Sequence, residues 1–600
     1  LQIFDIMIHN QPPWEELNMA IIGIDLGTTN SIVTAFQNGA CVLIPNQHGE
    51  YLTPSVVGLD ERGALLVGKL AKERLITAPH LTTALFKRNM GTKTKAQLGT
   101  KSFLPEELSS FVLRQLIEDA KRFLDAPIEE VVISVPAYFD AKQRAATKRA
   151  GFLAGAKVER LVNEPSAAAI ACKQEGEDDT FLIFDFGGGT LDVSIVEVFD
   201  NVVNICAIAG DNRLGGREFD HVIFEAICAE NQIDRNALSR QERETLLRLA
   251  EQAKTELQNR QEVQIKGTIQ NRTVEMHLTD ETLANLSGEI FARIKRPIQA
   301  AINDSGLQAS DISRCILVGG SCHMKIVQEF LSLLLRVPVQ PGKDMDHVVA
   351  EGLGIFVGIK QRDSEVRDMV LTDICPFSLN TGVYNAANPN KTLAQTMIPR
   401  NSILPRRVTE SLCTVDLGQT EINVTVTQGE QMYEEENTLL GSLTIRVPKN
   451  MKEHEHIEIT FYYDINAILV VNVRVVSTGA EHSLVLTGDG LELSGKELEH
   501  ALRELQNMKF RSFHNQRFAF LQERAKRIYA EGNTALQAHM LQLIIELEQL
   551  ERTGIIGGIR KQNAILDEFE AYLEQMEATL DNPDIFQDFS EFTFGEDSDD

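Results

Sequence analysis

The chain has 600 residues, enough for two or more domains with large cores. Lys+Arg 58 against Asp+Glu 86 gives a net charge of −28, which argues against a nucleic-acid partner or an anionic-membrane surface, and no apolar run is long enough to span a bilayer. The eight cysteines form no C-x-x-C pair and several sit in apolar runs such as Arg314-Cys315-Ile316, so they read as reduced, buried thiols of a cytoplasmic protein.

Residues 1–18, with Glu15 and Glu16 and a broken apolar stretch, read as an N-terminal extension that lacks the basic and apolar regions of a signal peptide. From Met19 to about Gln361, β-runs alternate with amphipathic helical stretches such as Glu106 to Leu124 and Glu242 to Leu257, the pattern of an α/β architecture. One segment of this region is written twice. Ile21-Ile22-Gly23-Ile24-Asp25-Leu26-Gly27-Thr28-Thr29-Asn30 is echoed by Phe181-Leu182-Ile183-Phe184-Asp185-Phe186-Gly187-Gly188-Gly189-Thr190-Leu191-Asp192. Each is an apolar β-run that ends in Asp, turns on glycine with Thr at the tip, and returns as a second run, Ser31 to Phe36 or Val193 to Val198. Glycine lets backbone N–H groups approach phosphate oxygens, threonine adds a hydroxyl donor, and the Asp can hold hydrated Mg²⁺. One such hairpin is weak grounds for phosphate binding; two facing each other would clamp one nucleotide. A third glycine turn, Gly319-Gly320-Ser321 after Ile316-Leu317-Val318, is in isolation as readily a plain strand-to-helix connection; taken with the hairpins it resembles the nucleoside-side loop of the actin, sugar-kinase and heat-shock chaperone superfamily.

A charged segment with an apolar centre, 362–373, follows, carrying Met369-Val370-Leu371. The pattern then becomes dense β, with runs at Leu412 to Val415, Ile422 to Val426, Leu443 to Val447, Ile457 to Phe461, Ile468 to Val476 and His482 to Leu486, which suggests a sandwich over 374–493. Residues 494–580 read as helical with a break at Gly554 to Gly558, and 581–600, with acids and no base, as a disordered tail.

Val135-Pro136-Ala137-Tyr138-Phe139, Asn163-Glu164-Pro165-Ser166-Ala167-Ala168-Ala169 and Gly210-Asp211-Asn212-Arg213-Leu214-Gly215-Gly216-Arg217-Glu218-Phe219-Asp220, with the two hairpins and the third turn, resemble the seventy-kilodalton heat-shock (DnaK-like) chaperones from about Met19 to the end of the helical region. The resemblance implies an actin-like ATPase domain over 19–361, a linker at 362–373, a β-sandwich that binds peptide, and a helical lid. It implies ATP and ADP as ligands with Mg²⁺, K⁺ being a further candidate ion. Lys87 would be the catalytic lysine, Glu164 and Asp192 would hold the attacking water beside Thr190, and Asp25 and Asp185 would anchor Mg²⁺ through water. Gly27, Thr28, Thr29, Asn30, Gly187, Gly188 and Gly189 would face phosphate; Glu251, Lys254, Gly319, Gly320, Ser321, His323 and Asp346 would face the nucleoside. Gln258 and His323 stand where the family has serine and a stacking arginine.

By the same resemblance Thr381, Val383, Tyr384, Leu412, Val415, Ile422 and Val424 form the peptide groove, with a pocket built largely of Ile422, Val424 and Leu412. Pro136 and Arg144 would relay the coupling, Arg160 and Asp373 would meet a J-domain co-chaperone, and Val370 and Leu371 would dock on the ATPase domain. The stretches Met90 to Pro105 and Gln264 to Met276 are shorter than in typical members, which trims the lobes that exchange factors grip; a nucleotide exchange factor then becomes a partner the cycle could do without. With Asn30 beside the first loop, the chain is most similar to the HscC branch. Rival readings are a sugar kinase, an actin-like filament protein, and a peptide-holding protein with an uncoupled ATPase. The β-rich region from Asp373 argues against the first two, and Lys87, Thr190 and Asp192 against the third.

Overall fold

The computed structural model describes residues 20–173, 178–199, 201–269, 272–342, 344–464, 468–486, 513–531, 534–553 and 558–581. The expected N-terminal extension, the start of the helical region and the acidic tail beyond Asp581 lie outside the described residues.

The repeat seen in the sequence is a repeat of whole sheets. In the first, strand Ala20–Asp25 pairs antiparallel with Asn30–Gln37, which pairs with Ala40–Ile44; on its other side Ala20–Asp25 runs parallel to Ile128–Val135, and that strand to Leu161–Asn163. In the second, Asp179–Phe186 pairs antiparallel with Leu191–Phe199, and that strand with Val202–Asp211, while Arg314–Val318 and Val339–Pro341 continue parallel on the other side. Both Asp residues at the hairpin turns therefore leave the middle of a sheet. The middle strands are buried on both faces: Ile22, Ile24, Leu182, Ile183 and Phe184 have no exposed surface, as continuous apolar runs require. Helices cover these sheets, among them Pro105–Leu124, Arg240–Leu257, Gly288–Ser305 and Val348–Gln361. Ser239 caps Arg240–Leu257 by accepting from Glu242 N, the reason that helix starts two residues before the apolar pattern does.

The segment read as a linker adds a strand to the second sheet. Val370–Thr372 pairs in parallel with Val202–Asp211 in the register Val202↔Val370, and Val370 N donates to Asn201 O at 2.9 Å. Met369 and Leu371 pack against the core beneath, whereas Val370 points outward and is 53% exposed.

Beyond it, two four-stranded sheets share one core of Val424, Val426, Ile445, Ile459, Phe461, Val471 and Val473. Their orders are Leu393–Ile398, Leu379–Val383, Glu421–Gln428, Thr438–Arg446 and Arg406–Cys413, His456–Tyr463, Leu469–Val475, Glu481–Leu486. The first two strands in chain order were not among the runs expected from sequence. The sandwich rests on the α/β region: Ala141 N donates to Gln428 Oε1 at 2.9 Å, Arg400 Nη2 to Asp304 Oδ1 at 2.8 Å, and the rings of Tyr138 and Phe377 lie 4.5 Å apart. Helices Phe513–Glu531, Thr534–Thr553 and Gly558–Asp581 form a bundle with its own core, including Leu521, Ile528, Met540, Leu547 and Phe569. That core runs on into Leu66, Leu70 and Ala71 of the α/β region.

The cysteines depart from expectation at one place. Cys228, Cys315, Cys322 and Cys375 are buried, and Cys41, Cys172 and Cys206 half-buried, but Cys413 is exposed because it falls on the solvent side at the end of an outer strand; all eight are free thiols.

Candidate functional site

The two hairpins bring their tips together over a cleft of about 480 Å³. It is lined by Asp25, Gly27, Thr28, Thr29, Asn30, Lys87, Glu164, Asp185, Gly187, Gly188 and Thr190 at one end. Glu251, Lys254, Gln258, Gly319, Gly320, Ser321, His323 and Asp346 line the other. A Cβ on Gly188 would collide with the Thr29 hydroxyl, and one on Gly189 with Thr28 and Arg88, so only glycine lets the tips approach. Gly319 has φ +86°, a left-handed conformation that its turn requires, and its N–H donates to Met345 O at 2.7 Å. Ser321 Oγ reaches across to Gly187 O at 2.8 Å and ties the third turn to the second hairpin.

Where the two hairpins meet, the charges are concentrated and buried. Lys87, 3% exposed, donates from Nζ to Glu164 Oε1 at 2.9 Å. Asp25 accepts from Ser134 Oγ at 2.6 Å, and Asp192 from the Tyr138 amide at 3.2 Å. Burial, reinforced by the neighbouring Glu164, pushes the Asp25 carboxyl up to about 6 and that of Asp192 up to about 7; Asp185, buried beside Glu164, Asp192 and Asp25, is raised well above its ordinary value. Four carboxylates thus surround one lysine, an excess of negative charge next to loops built for anions. A divalent cation resolves that conflict, so the donor set fits Mg²⁺. Among the described residues no group of three His, Cys, Asp or Glu side chains is placed to hold a metal ion directly.

At the opposite end of the cleft His323 Nε2 lies 3.2 Å from Asp346 Oδ2, which orients the imidazole ring. Lys254 Nζ is engaged by Asp220 Oδ1 at 2.6 Å and by Gly216 O at 3.1 Å, and Glu251 faces Lys72 across the cleft at 4.0 Å. Sequence reasoning passed over Asp220, Lys72 and Arg88, the last bound to Glu218 Oε2 at 2.8 Å. Each stands among other charges in the sequence with nothing local to single it out, and only the fold supplies its partner.

The residues expected to carry coupling meet at one point. Arg144 donates to Ala137 O, Phe139 O and Asn163 Oδ1, at 3.0, 3.0 and 2.6 Å, and so fixes the turn that Pro136 begins. Asn163, next to Glu164 in sequence, donates in turn to Asp373. Arg160, whose guanidinium stacks on Phe356 at 4.8 Å, lies near enough to Asp373 for the two charges to act on each other, while Asn163 and Ser166 bond the carboxylate.

The groove residues divide. Val383 is half-buried, Tyr384 is 52% exposed and Val415 is 44% exposed, while Leu412 and Ile422 pack partly against the sandwich core. Val424 is closed inside that core, and Thr381 is buried with Oγ1 donating to Thr425 O at 2.9 Å, so neither presents a surface in this conformation. Two further apolar side chains stand exposed on the joined loops after Val415: Leu417 and Met451 are 46% and 64% exposed, and Gly418 N donates to Asn450 O at 2.6 Å.

Among the described residues no helix is long and apolar enough to cross a membrane. The sequence matches the model of a family described as Hsp70 protein over residues 21–101 and 93–578. It is 36% identical to the chaperone protein DnaK of Thermotoga neapolitana over 484 residues, 78% of this chain and 80% of that one. The DnaK of Thermotoga petrophila is 36% identical over 500 residues, covering 81% and 83% of the two chains. That of Thermosipho africanus is 36% identical over 483 residues, 78% and 80%. With the duplicated sheets, the paired glycine hairpins and a match along nearly the whole length, the chain belongs to the Hsp70 family.

Proposed function

We propose that the chain is an ATP-hydrolysing molecular chaperone that binds and releases extended apolar peptide segments of client proteins. In this reading an actin-like ATPase domain, 19–361, sets the grip of the sandwich, 374–493, and of the lid, 494–580, through the linker 362–373. The observation that carries it is the linker strand: Val370–Thr372 extends the sheet that also holds Asp185 and Asp192, and Asp373 at its end is bonded to the residue preceding Glu164. A change at the phosphates can thus reach the segment that leads to the sandwich.

In hydrolysis Lys87 would meet the charge that develops on the transferred phosphate, a role favoured by its burial, which leaves little water to screen it. Glu164 positions that ammonium, and Asp192, fixed by the Tyr138 amide, would accept from the attacking water. Mg²⁺, held through water by Asp25 and Asp185, would neutralise phosphate charge. His323, oriented by Asp346, would stack on the base with less fixed charge than an arginine offers.

The partners that follow are apolar client segments and a J-domain co-chaperone, in the cytoplasm, with an exchange factor not required. A holder with an uncoupled ATPase is the competing reading, and the Asn163–Asp373 contact speaks against it. Single-turnover ATP hydrolysis with and without an apolar peptide decides between them: acceleration by peptide is expected, and a rate indifferent to peptide would favour the uncoupled holder.

A further inference from the structure

Arg217 stands in the wall of the cleft without a bonded partner. It is the second residue of helix Gly216–Glu230, whose first turn is tied to the second hairpin: Gly216 N donates to Gly187 O at 3.0 Å and Arg217 N to Gly188 O at 3.1 Å. The residue lines the cleft together with Lys254 and Ser321, and a Cβ on Gly216 would lie 2.4 Å from Ser321 Oγ and 3.2 Å from Lys254 Nζ. Arg217 therefore sits at the joint between the hairpin tips and the third turn. The acids next to it in the helix are engaged elsewhere. Glu218 accepts from Arg88 Nη2 at 2.8 Å and from Gly215 N at 2.7 Å, and Asp220 is held by Lys254 at 2.6 Å. The Arg217 charge acts on Asp220 and His221 through space. Among the described residues, however, its guanidinium makes no ion pair or hydrogen bond, and Nε is buried without an acceptor.

This placement is unfavourable on two counts. A helix N-terminus carries the partial positive charge of its free amides, so a cation in the first turn is repelled where an anion would be stabilised. A guanidinium nitrogen that has lost water and found no acceptor adds a desolvation cost. An anion entering between the helix and the hairpin removes both, at a place where glycine amides already favour one. We infer that Arg217 is a phosphate-binding residue of this cleft, its guanidinium holding the part of the phosphate chain that ATP and ADP share. The inference rests on the reading of the cleft as the ATP site. It separates two roles: Lys87 acts on charge that develops during transfer, and Arg217 on charge present before and after it. Arg217 then governs how firmly nucleotide is kept.

The test titrates adenosine, ADP and a slowly hydrolysed ATP analogue, with Mg²⁺ present, into the full chain and into Arg217→Ala. Affinity for ADP and for the analogue should fall on the order of tenfold or more, as loss of charge-assisted hydrogen bonds implies, and adenosine affinity should stay the same. Arg217→Lys should recover part of the loss, since an ammonium supplies the charge without the planar fork. Thermal melting gives a second readout. Without nucleotide, Arg217→Ala should melt no lower than the unaltered chain, because a cation has left the helix N-terminus, while the rise in Tm on adding ADP should shrink. Arg213→Ala, an exposed arginine just before the helix that does not line the cleft, should bind each ligand as the unaltered chain does. Undiminished ADP affinity in Arg217→Ala would overturn the inference. An equal loss for adenosine and ADP with a lower Tm would do the same, marking Arg217 as a support of the cleft wall. Failure of the folded, unaltered chain to bind ADP would instead strike at the ATP reading, and the inference would fall with it.

Discussion

Asn163 Nδ2 donates to both carboxylate oxygens of Asp373, at 2.9 and 2.7 Å, across 210 residues of chain. One residue further on, Glu164 holds Lys87. A two-state switch needs an element whose position both sites can bias, and this amide joins the linker to the lysine's carboxylate within two side chains. Asn163→Ala should leave Asp373 without the amide that bonds both its oxygens in the docked arrangement. We expect hydrolysis to lose its response to peptide while nucleotide affinity changes little; a variant whose rate still rises with peptide would place the coupling elsewhere.

Lys87→Ala should keep nucleotide binding and lose hydrolysis by on the order of 10²-fold or more, because the ammonium acts on charge that grows during transfer. Equilibrium binding of a labelled nucleotide, followed by single-turnover hydrolysis, separates the two effects. Near-normal turnover would remove Lys87 from the chemistry.

The linker strand makes an unequal prediction for adjacent residues. Leu371 packs on the core beneath, and Val370 faces out. Leu371→Asp would force a carboxylate into apolar surroundings, which costs far more than the lost contacts, and should abolish ATP-driven peptide release. Val370→Asp should be tolerated, since it keeps its backbone bond and puts its charge in water. Release kinetics of a labelled peptide on adding ATP check both; equal loss in the two variants would mean that side-chain burial does not hold the strand.

Acid should loosen the lid. The rings of His48 and Phe520 lie 5.2 Å apart at the lid contact, where the histidine is faced by Lys69 and Arg517 as well as by Glu50 and Glu570. Burial and then Lys69 lower its pKa from the ordinary 6.5. A depressed histidine leaves the docked form at full stability above that ordinary value and weakens it as pH falls below, because the freed ring gains a proton more readily. Exchange protection at 69–77 should therefore drop between about pH 7.5 and about pH 5.5, and His48→Gln should flatten the drop. A drop of the same size in that variant would assign the effect to other groups.

Much of this was legible in the sequence because it depends on local rules. Asp25 and Asp185 stand at strand ends followed by glycine, so their place beside phosphate loops follows from spacing alone. Strand Glu421–Gln428 was read from its apolar alternation, but Leu379–Val383 carries Asn380, Thr381 and Gly382 and looks like a loop until a neighbour supplies its hydrogen bonds. Val424 is a groove residue by resemblance, with the sandwich core as the alternative, and the core is where it lies: alternation fixes only which residues share a face, and this face is turned inward. Arg74, Glu523 and Asn163 bear ordinary polar side chains whose partners lie hundreds of residues away in some cases, and no local pattern marks them.

The parallel pairing of Val370–Thr372 with Val202–Asp211 has a consequence for the protein's own solubility. In the docked form the linker shields the last strand of the second sheet. When the linker departs, the amides and carbonyls of Val202 to Asn204 become a bare edge next to Phe199, which is 67% exposed, and the apolar patch under Met369 and Leu371 is uncovered with them. A bare edge flanked by apolar surface is a template for another extended chain. In one phase of its cycle this protein would itself carry the kind of surface that its sandwich is built to hold.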